Sequence, residues 1–364
     1  MKNIKIFFVI IITLIIIIPN QVKSQENDIS SYFKNFKIKG AVDAYYAWDT
    51  DKDKTQRQFV SFEPFRDQFK LNIAQVSLSY NSEIVRGKVT LHYGDIPAVN
   101  WPSNMQYIQE ANIGFSPYKN LWIDAGYFLT FVGAEGMPMN SIFSSFSIGS
   151  YHEPFFESGI KISYDFSEKF SSCLHIMNGF NMFEDNNKNK SLGFELTYKP
   201  ASKITFDYNV IIGNEIPTDL NNPKPRVYNN LYANYTPTEK LELILGIDFA
   251  TQEKSKITDS TASASLFSTF ISGRYKITPK FFFSVRAEYF SDADGFLSGT
   301  FTDSDGNLSG LKSWGLTGAF EYRPIQNYYV RLESRFLSAD SKLKIFSENS
   351  NSRTEATINM GFEF

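Results

Sequence analysis

The stretch that decides the fold is Ala356-Thr-Ile-Asn-Met-Gly-Phe-Glu-Phe364 at the end of the chain. Apolar side chains occupy every second position of this stretch, and polar or small residues alternate with them. A period of two predicts a β-strand, because successive side chains of a strand point to opposite faces. One apolar face that ends in an aromatic residue is typical of strands in transmembrane β-barrels, where aromatic rings flank the lipid-facing band.

The same ending recurs along the chain. Seven further alternating runs end in an aromatic residue that is followed by a short polar turn. With the last run, these aromatic residues are Tyr80, Phe115, Phe166, Tyr198, Tyr235, Tyr275, Tyr322 and Phe364. A soluble β-protein would also alternate, but it would have little reason to end eight strands with an outward aromatic residue at one height. We therefore predict an all-β fold, a transmembrane antiparallel β-barrel.

The alternation predicts sixteen strands with connections of two kinds. Seven connections have two to four residues and eight have ten or more, in strict alternation. Short periplasmic turns and long external loops are what an even-stranded barrel requires. We expect the strands at residues 37–48, 70–80, 83–94, 105–116, 120–131, 156–166, 169–180, 191–199, 203–213, 227–236, 240–252, 265–276, 280–290, 311–322, 327–337 and 355–364.

The beginning of the chain has the pattern of a secretory signal peptide. Two lysines precede a continuous apolar stretch at residues 6–18, and Val22-Lys23-Ser24 offers a cleavage site. A membrane-spanning helix needs about 20 apolar residues, so this stretch is too short to be an anchor. We expect residues 1–24 to be a signal peptide and residues 25–364 to form one barrel domain.

Composition and charge restrict the class of function. Aromatic residues make up 16% of the chain while the mean hydropathy is −0.26, as expected when half of the strand residues face a polar lumen. Without its three leader lysines the chain has 33 basic and 39 acidic residues, a net charge near −6 (33 − 39), which argues against a nucleic-acid partner. The single cysteine, Cys173, excludes an internal disulfide, and we expect it to be a packing residue.

The predicted inward faces are rich in charged residues. From Val85 onward in the strand at 83–94, and throughout the strands at 240–252 and 327–337, no charge falls on the lipid face, where it would cost about 2–4 kcal/mol. Barrels of about 16–18 strands leave an aqueous channel, which would hydrate these charges. The alternative is a paired network in a narrower or plugged barrel. The residues expected to line or constrict the pore are Arg86, Lys88, Glu110, Asp124, Glu135, Glu153, Arg286, Glu288, Arg331, Glu333 and Arg335.

The longest connection, residues 132–155, is unusual because it is apolar. Its apolar residues imply that it packs on something, either inside the lumen, where it would narrow the pore, or as a cap on the barrel rim. We expect the lumen. Glu135 and Glu153 of this loop would then face arginines on the opposite wall and create a transverse field. The apolar residues are Met137, Met139, Ile142, Phe143, Phe146 and Ile148, and the arginines are Arg286, Arg331 and Arg335.

The fifth strand and this loop carry a family resemblance. The residues that carry it are Asp124-Ala-Gly126-Tyr-Phe128-Leu-Thr130, Gly133-Ala-Glu135, Asn140-Ser-Ile-Phe143-Ser144, Pro154 and Gly159. They resemble the OmpL-like β-barrel porin family of Gram-negative outer membranes. Tyr127 stands where that family has a basic residue, and Ser145 and Phe146 stand where it has Arg and Ser. The resemblance implies passive diffusion of small solutes, without indicating a selectivity.

We therefore expect an outer-membrane porin that allows weakly selective diffusion of small hydrophilic solutes or ions. Two alternatives remain open: a surface adhesin or structural barrel with a closed lumen, and a substrate-selective channel. The expected partners are outer-membrane lipid and the barrel-assembly machinery, and a homo-oligomer stays open. Resemblance to outer-membrane proteins implies that Phe362 and Phe364 form the signal that this machinery recognises.

No motif in the sequence indicates an enzyme, a cofactor or a metal. His92, His152 and His175 lie on separate predicted elements without metal-ligand spacing. The nucleophile elbow and the phosphate-binding loop are both missing from the sequence. Two aspartate-rich segments, at residues 292–295 and 303–306, are expected to be solvated turns.

Overall fold

The structure is a computed structural model and describes residues 34–217, 220 and 222–364. The predicted signal peptide, residues 1–24, lies outside the described residues. Among the described residues, no helix is both long and apolar enough to cross a membrane.

Sixteen antiparallel strands form a closed barrel, as the alternation predicted. Every predicted strand corresponds to an observed one, and two further short strands, β14 and β15, form a separate hairpin in the loop between β13 and β16. The strands are β1 (Phe36–Asp49), β2 (Phe69–Asn81), β3 (Val85–Tyr93), β4 (Ile108–Tyr118), β5 (Leu121–Leu129), β6 (Phe156–Ser167), β7 (Phe170–Met177), β8 (Ser191–Ala201), β9 (Ile204–Asn214), β10 (Pro225–Thr238), β11 (Leu241–Gln252), β12 (Ala264–Lys276), β13 (Phe281–Ser291), β14 (Phe301–Thr302), β15 (Leu308–Ser309), β16 (Lys312–Ile325), β17 (Tyr328–Ala339) and β18 (Ser352–Glu363).

In the part of the chain that the structure describes, little regular structure lies outside the strands. Two short helices occur in the long connections, α1 (Asp95–Asn100) after β3 and α2 (Ile148–His152) before β6. Single turns of 3-10 helix occur at Pro138–Asn140 and Ser347–Asn349. The helices are too short to be stable alone, so their positions depend on packing against the barrel.

Two strands whose alternation is irregular in the sequence are explained by their surroundings. In β2 the pairing with β1 shifts next to Asp43, and Asn72 and Ile73 are both buried there, as expected for a β-bulge. In β12, Leu266 and Phe270 are apolar but face inward. Phe270 belongs to an apolar cluster with Ile142 and Phe143 of the 132–155 loop, so this part of the lumen wall is apolar because a loop covers it.

The barrel closes where the last residue meets the first strand. The amide of Phe364 donates to the carbonyl of Gly40, and the amide of Gly40 donates to the carbonyl of Phe364, each at 2.9 Å. The Phe364 ring lies over Gly40, where a Cβ atom would come within 2.1 Å of it. Glycine at position 40 therefore leaves the space that the terminal aromatic ring fills at the seam.

We predict that replacing Phe364 by Ser, or deleting it, lowers the amount of barrel in the outer membrane and exposes the chain to proteolysis. The change removes a ring from the seam between β1 and β18, and deletion also removes both backbone hydrogen bonds. The measurement is outer-membrane abundance together with heat-modifiable gel mobility.

Phe267→Ser is the matched control, because Phe267 is an outward-facing ring away from the seam and is 42% exposed without lipid. If the Phe364 variants kept wild-type abundance and heat-modifiability, the terminal ring would have no role in assembly.

Candidate functional site: the barrel lumen

The 132–155 loop lies inside the barrel, held by carboxylates of the wall. Glu333 on β17 accepts hydrogen bonds from the amides of Ser144, at 2.7 Å, and Ser145, at 3.2 Å. Glu288 on β13 accepts one from the amide of Ile148 at 2.6 Å. Because Glu333 and Glu288 are buried on the inward faces of their strands, the backbone they bind lies in the lumen.

Arg286 on β13 binds the same loop through several of its donors. Its Nη1 donates to Glu135 Oε1 at 2.6 Å and to the carbonyl of Ser145 at 2.8 Å. Its guanidinium group lies 4.8 Å from the centre of the Phe143 ring. The Arg286 side chain has 0% exposure, so the loop covers this arginine completely.

The neighbouring arginines are buried in the same way. Nε of Arg331 donates to Glu321 at 2.9 Å and its Nη2 to the carbonyl of Ser141 at 2.8 Å. Arg335 donates to both carboxylate oxygens of Glu288, at 2.9 and 3.0 Å. We call the inward faces of β13, β16, β17 and β18 the arginine wall.

These contacts correct the expected arrangement of charges. Arg286, Arg331, Arg335, Glu288 and Glu333 do face inward, but they are buried beneath the loop rather than exposed to water. Glu135 lies against the arginine wall and not opposite it, because it binds Arg286 directly. The alternative of a paired network therefore describes this side of the lumen, since buried charges need partners.

Glu153 lies on another part of the wall. Its Oε1 accepts a hydrogen bond from Asn230 on β10 at 3.3 Å, and Asn230 also donates to Asp248 on β11 at 2.8 Å. Burial raises the pKa of the Glu153 carboxyl well above its usual range, and the nearby carboxylates of Asp248 and Glu135 add to this. Glu153 is therefore predominantly protonated at pH values where an exposed glutamate is ionised.

A second loop also enters the barrel, which sequence reasoning missed. In residues 50–68, between β1 and β2, the Glu63 carboxylate accepts from Asn359 on β18 at 2.6 Å, and the Glu63 amide donates to Asn72 at 3.1 Å. Arg57 donates to Asp49 at 3.1 Å. The sequence offered one signal, the aromatic residue Phe62 in the middle of the loop, because such a ring is expected to pack against something. The structure buries it, at 1% exposure.

One cavity in the lumen, of about 620 Å³, lies beside β1 to β6. The predicted residues Arg86, Lys88, Glu110 and Asp124 line it, and we call this side the open wall. Nε of Arg86 donates to Asp124 at 2.6 Å, and Lys88 pairs with Glu110. Met137, Met139 and Asn140 of the loop bound the cavity on the other side.

Several polar residues of the open wall were not singled out from the sequence. They are Lys37 and Lys39 on β1, Gln75 on β2 and Gln109 on β4. Lys161 on β6, which the alternation placed on an inward face, also lines the cavity. The alternation could have identified Lys37 and Lys39 as inward residues, because it puts them on the same face of β1 as the inward Asp43. Which inward residues remain uncovered depends on where the loops pack, and alternation does not contain that information.

The family follows from a comparison of the whole barrel sequence. Residues 35–364 match the sequence model of the family described as "Putative beta-barrel porin-2, OmpL-like". The chain belongs to this family. It is an outer-membrane porin, and the resemblance of the fifth strand and its loop is confirmed over the full barrel.

Solved structures similar to this porin are outer-membrane barrels of low sequence identity. The channel DcaP of Acinetobacter baumannii has a TM-score of 0.62 at 12% identity, covering 90% of this chain and 97% of that one. An anion-selective porin from Comamonas acidovorans has a TM-score of 0.60 at 8% identity, covering 90% and 99%. OmpT of Vibrio cholerae, solved in a trimer form, has a TM-score of 0.58 at 11% identity, covering 90% and 99%. These likenesses support the porin fold. No curated protein matches the sequence.

We predict that Arg286→Ala destabilises the porin, by about 3–5 kcal/mol, because it leaves Glu135 buried without its partner. Combining it with Glu135→Gln should recover part of the loss, since the unpaired charge is then removed. The measurement is the unfolding free energy in detergent.

Lys342→Ala is the matched control, because the Lys342 side chain is 59% exposed and pairs with Asp305, which is 51% exposed. We expect a smaller loss there. Equal losses for the two single variants, with no recovery in the double variant, would contradict the loop attachment described above.

We also predict a pH dependence that is specific to Glu153. The pKa of Glu153 is higher in the folded protein than in the unfolded chain, where it has the ordinary value of 4.5. Protonated Glu153 therefore stabilises the folded state fully below pH 4.5, and this stabilisation is lost as the pH rises through the folded-state pKa. The unfolding temperature of the wild type should therefore fall relative to that of Glu153→Gln as the pH increases from about 4. A constant difference between the two proteins across this pH range would contradict a protonated Glu153.

Proposed function

We propose that this porin is a narrow diffusion channel whose solute path follows the open wall, with diffusion rather than catalysis as its activity. The observation that carries the proposal is the cavity of about 620 Å³ between β1–β6 and the 132–155 loop. A sixteen-stranded barrel would otherwise leave a wide aqueous channel. In the proposal the loop is the constriction, and small hydrophilic solutes pass beside it.

The charges around this cavity support a weak preference for anions. Five basic and three acidic side chains line it. Arg86 and Lys88 are paired with Asp124 and Glu110. The basic side chains outside those two pairs are Lys37, Lys39 and Lys161, and the remaining acidic one is Glu363. An uncompensated positive lining raises the local concentration of anionic solutes.

The arginine wall has a supporting role in this proposal. Arg286 and Arg331 bind the loop directly, and Arg335 acts through Glu288, which binds the loop at Ile148. In the proposal they fix the position of the loop and so the width of the path, without touching solute. Arg86, Lys88, Glu110 and Asp124 are proposed to line the path itself. Because Glu135 and Glu153 hold the two ends of the loop, we propose that they constrict the pore indirectly.

Export and assembly form the second part of the proposal. Residues 1–24 direct export and are removed, and Phe362 and Phe364 are recognised by the barrel-assembly machinery. Outward side chains such as Leu332 and Ile271, which are 56% and 57% exposed without lipid, contact the acyl chains of the outer membrane. The trimer form of OmpT is the reason to propose a homo-oligomer here.

We predict that Lys39→Glu combined with Lys161→Glu shifts the reversal potential in a salt gradient toward cation preference. The two lysines belong to the uncompensated positive lining of the cavity, so reversing their charges makes the electrostatic potential along the open wall negative. The shift should be largest at low salt, because screening shortens the range of charges to about 8 Å at physiological ionic strength. The measurement is single-channel recording in a planar bilayer.

Lys256→Glu, on the loop between β11 and β12, is the control for net charge, since Lys256 is exposed and outside the cavity. An unchanged reversal potential in a double variant that conducts would show that the solute path does not follow the open wall. If the wild type did not conduct, the closed-lumen alternative would replace the channel proposal.

A further inference from the structure

A cluster of potential metal ligands lies on the lumen wall formed by β6, β7 and β8. Cys173 and His175 are two residues apart on β7, so both side chains point inward. Glu195 on β8 pairs directly with Cys173 across the two strands. One atom each of Cys173, His175 and Glu195 can be chosen so that all three lie within 4.8 Å of one another.

The imidazole of His175 lies between two carboxylates. Its Nδ1 is 3.3 Å from Glu157 Oε2 on β6, and its Nε2 is 3.6 Å from Glu195 Oε2. Two ligand atoms bound about 2.0–2.1 Å from one tetrahedral zinc ion are separated by roughly 3.4 Å. The spacing of Nε2 and the Glu195 oxygen therefore fits an ion between them.

His175 is buried, and one of its nitrogens makes no hydrogen bond within the described residues. The residue is 2% exposed, and within the described part of the chain its Nε2 has no hydrogen-bond partner. The Phe131 ring stacks on the imidazole with centroids 3.9 Å apart, and Gly193 leaves the space that this ring occupies. A buried nitrogen that makes no hydrogen bond and lies 3.6 Å from a carboxylate leaves room for a metal ion between the two groups.

We propose that Cys173, His175 and Glu195 bind a divalent transition-metal ion of the zinc type in the lumen wall. Thiolate, imidazole and carboxylate are the ligands that zinc uses, and three protein ligands leave a fourth position for water. Glu157 is a positioning residue, because a carboxylate on the second nitrogen of a ligating histidine fixes the ring. Binding releases the thiol proton of Cys173 to solvent, since the thiolate is the ligand.

An ion can reach this site from the lumen. The Glu195 side chain is 32% exposed. A second cavity of about 510 Å³ is lined by Ser171 and Thr197, the next inward residues on β7 and β8 below Cys173 and Glu195. None of the four residues of this site lines the 620 Å³ cavity, although Lys161 of the open wall pairs with His175 across β6 and β7.

The test is metal binding by the purified full-length porin in detergent, with Co²⁺ and Zn²⁺ as the probes. We expect one Co²⁺ per chain, with thiolate-to-cobalt charge-transfer absorption in the near ultraviolet that Zn²⁺ removes. Cys173→Ser should abolish this absorption. His175→Gln and Glu195→Gln should weaken Co²⁺ binding at least tenfold, and Glu157→Gln should weaken it by about 10–100-fold.

His92→Gln is the matched control, because His92 is also a buried lumen histidine but lies on β3, away from the cluster. It should bind Co²⁺ like the wild type. Heat-modifiable gel mobility identifies any variant that fails to fold, and the wild-type measurement does not depend on the variants.

Two results would overturn the proposal. Wild-type protein that binds no Co²⁺ or Zn²⁺ would show that His175 only forms ion pairs with Glu157 and Glu195. Charge-transfer absorption that persists unchanged in folded His175→Gln and Glu195→Gln would show simple binding to the Cys173 thiol.

Discussion

Hydrogen bonding of the backbone is the constraint on which this structure depends. The lipid interior offers no partners for amide and carbonyl groups, so a sheet can cross a membrane only when it has no free edge. The pairing of β1 with β18 removes the edge, and it extends to Gly40 and Phe364 at the last residue of the chain. Closure also separates two environments, lipid outside and lumen inside, and this separation produces the alternation of every strand.

Closure of the barrel also directs charged side chains into a confined volume, where each buried charge needs a partner. Removing one partner of a buried ion pair costs about 3–5 kcal/mol, comparable to a charge at the centre of the lipid face. On the arginine wall the partners come from both the strands and the loop. Arg331 binds Glu321 beside it, while Glu333 binds backbone amides of the 132–155 loop. The loop thus satisfies the charges of the wall, and the wall determines where the loop lies.

The lumen is asymmetric as a result. Two loops cover the arginine wall and its neighbours, and the open wall keeps hydrated charges such as Lys39 and Lys161. A third region, around His175 on β7, adjoins the open wall and is separated from the arginine wall by β8 to β12. It contains a thiol and an imidazole in addition to carboxylates. One barrel therefore combines a buried, ion-paired wall that holds a loop, a polar wall that lines a cavity, and a candidate metal site.

The sequence by itself determined the sixteen strands, the inward and outward faces of the strands with regular alternation, and the family, because alternation and aromatic ends are local properties of each strand. The faces of β2 and β12 needed the structure, because a bulge and a covering loop interrupt their patterns. It also indicated that the 132–155 loop packs in the lumen, since its apolar residues need a covered environment. Only the tertiary structure decided which charges are covered, because contacts such as Ser144 with Glu333 join residues 189 positions apart. The grouping of Cys173 with Glu195 likewise depends on the register of two strands, which each strand's own pattern leaves open.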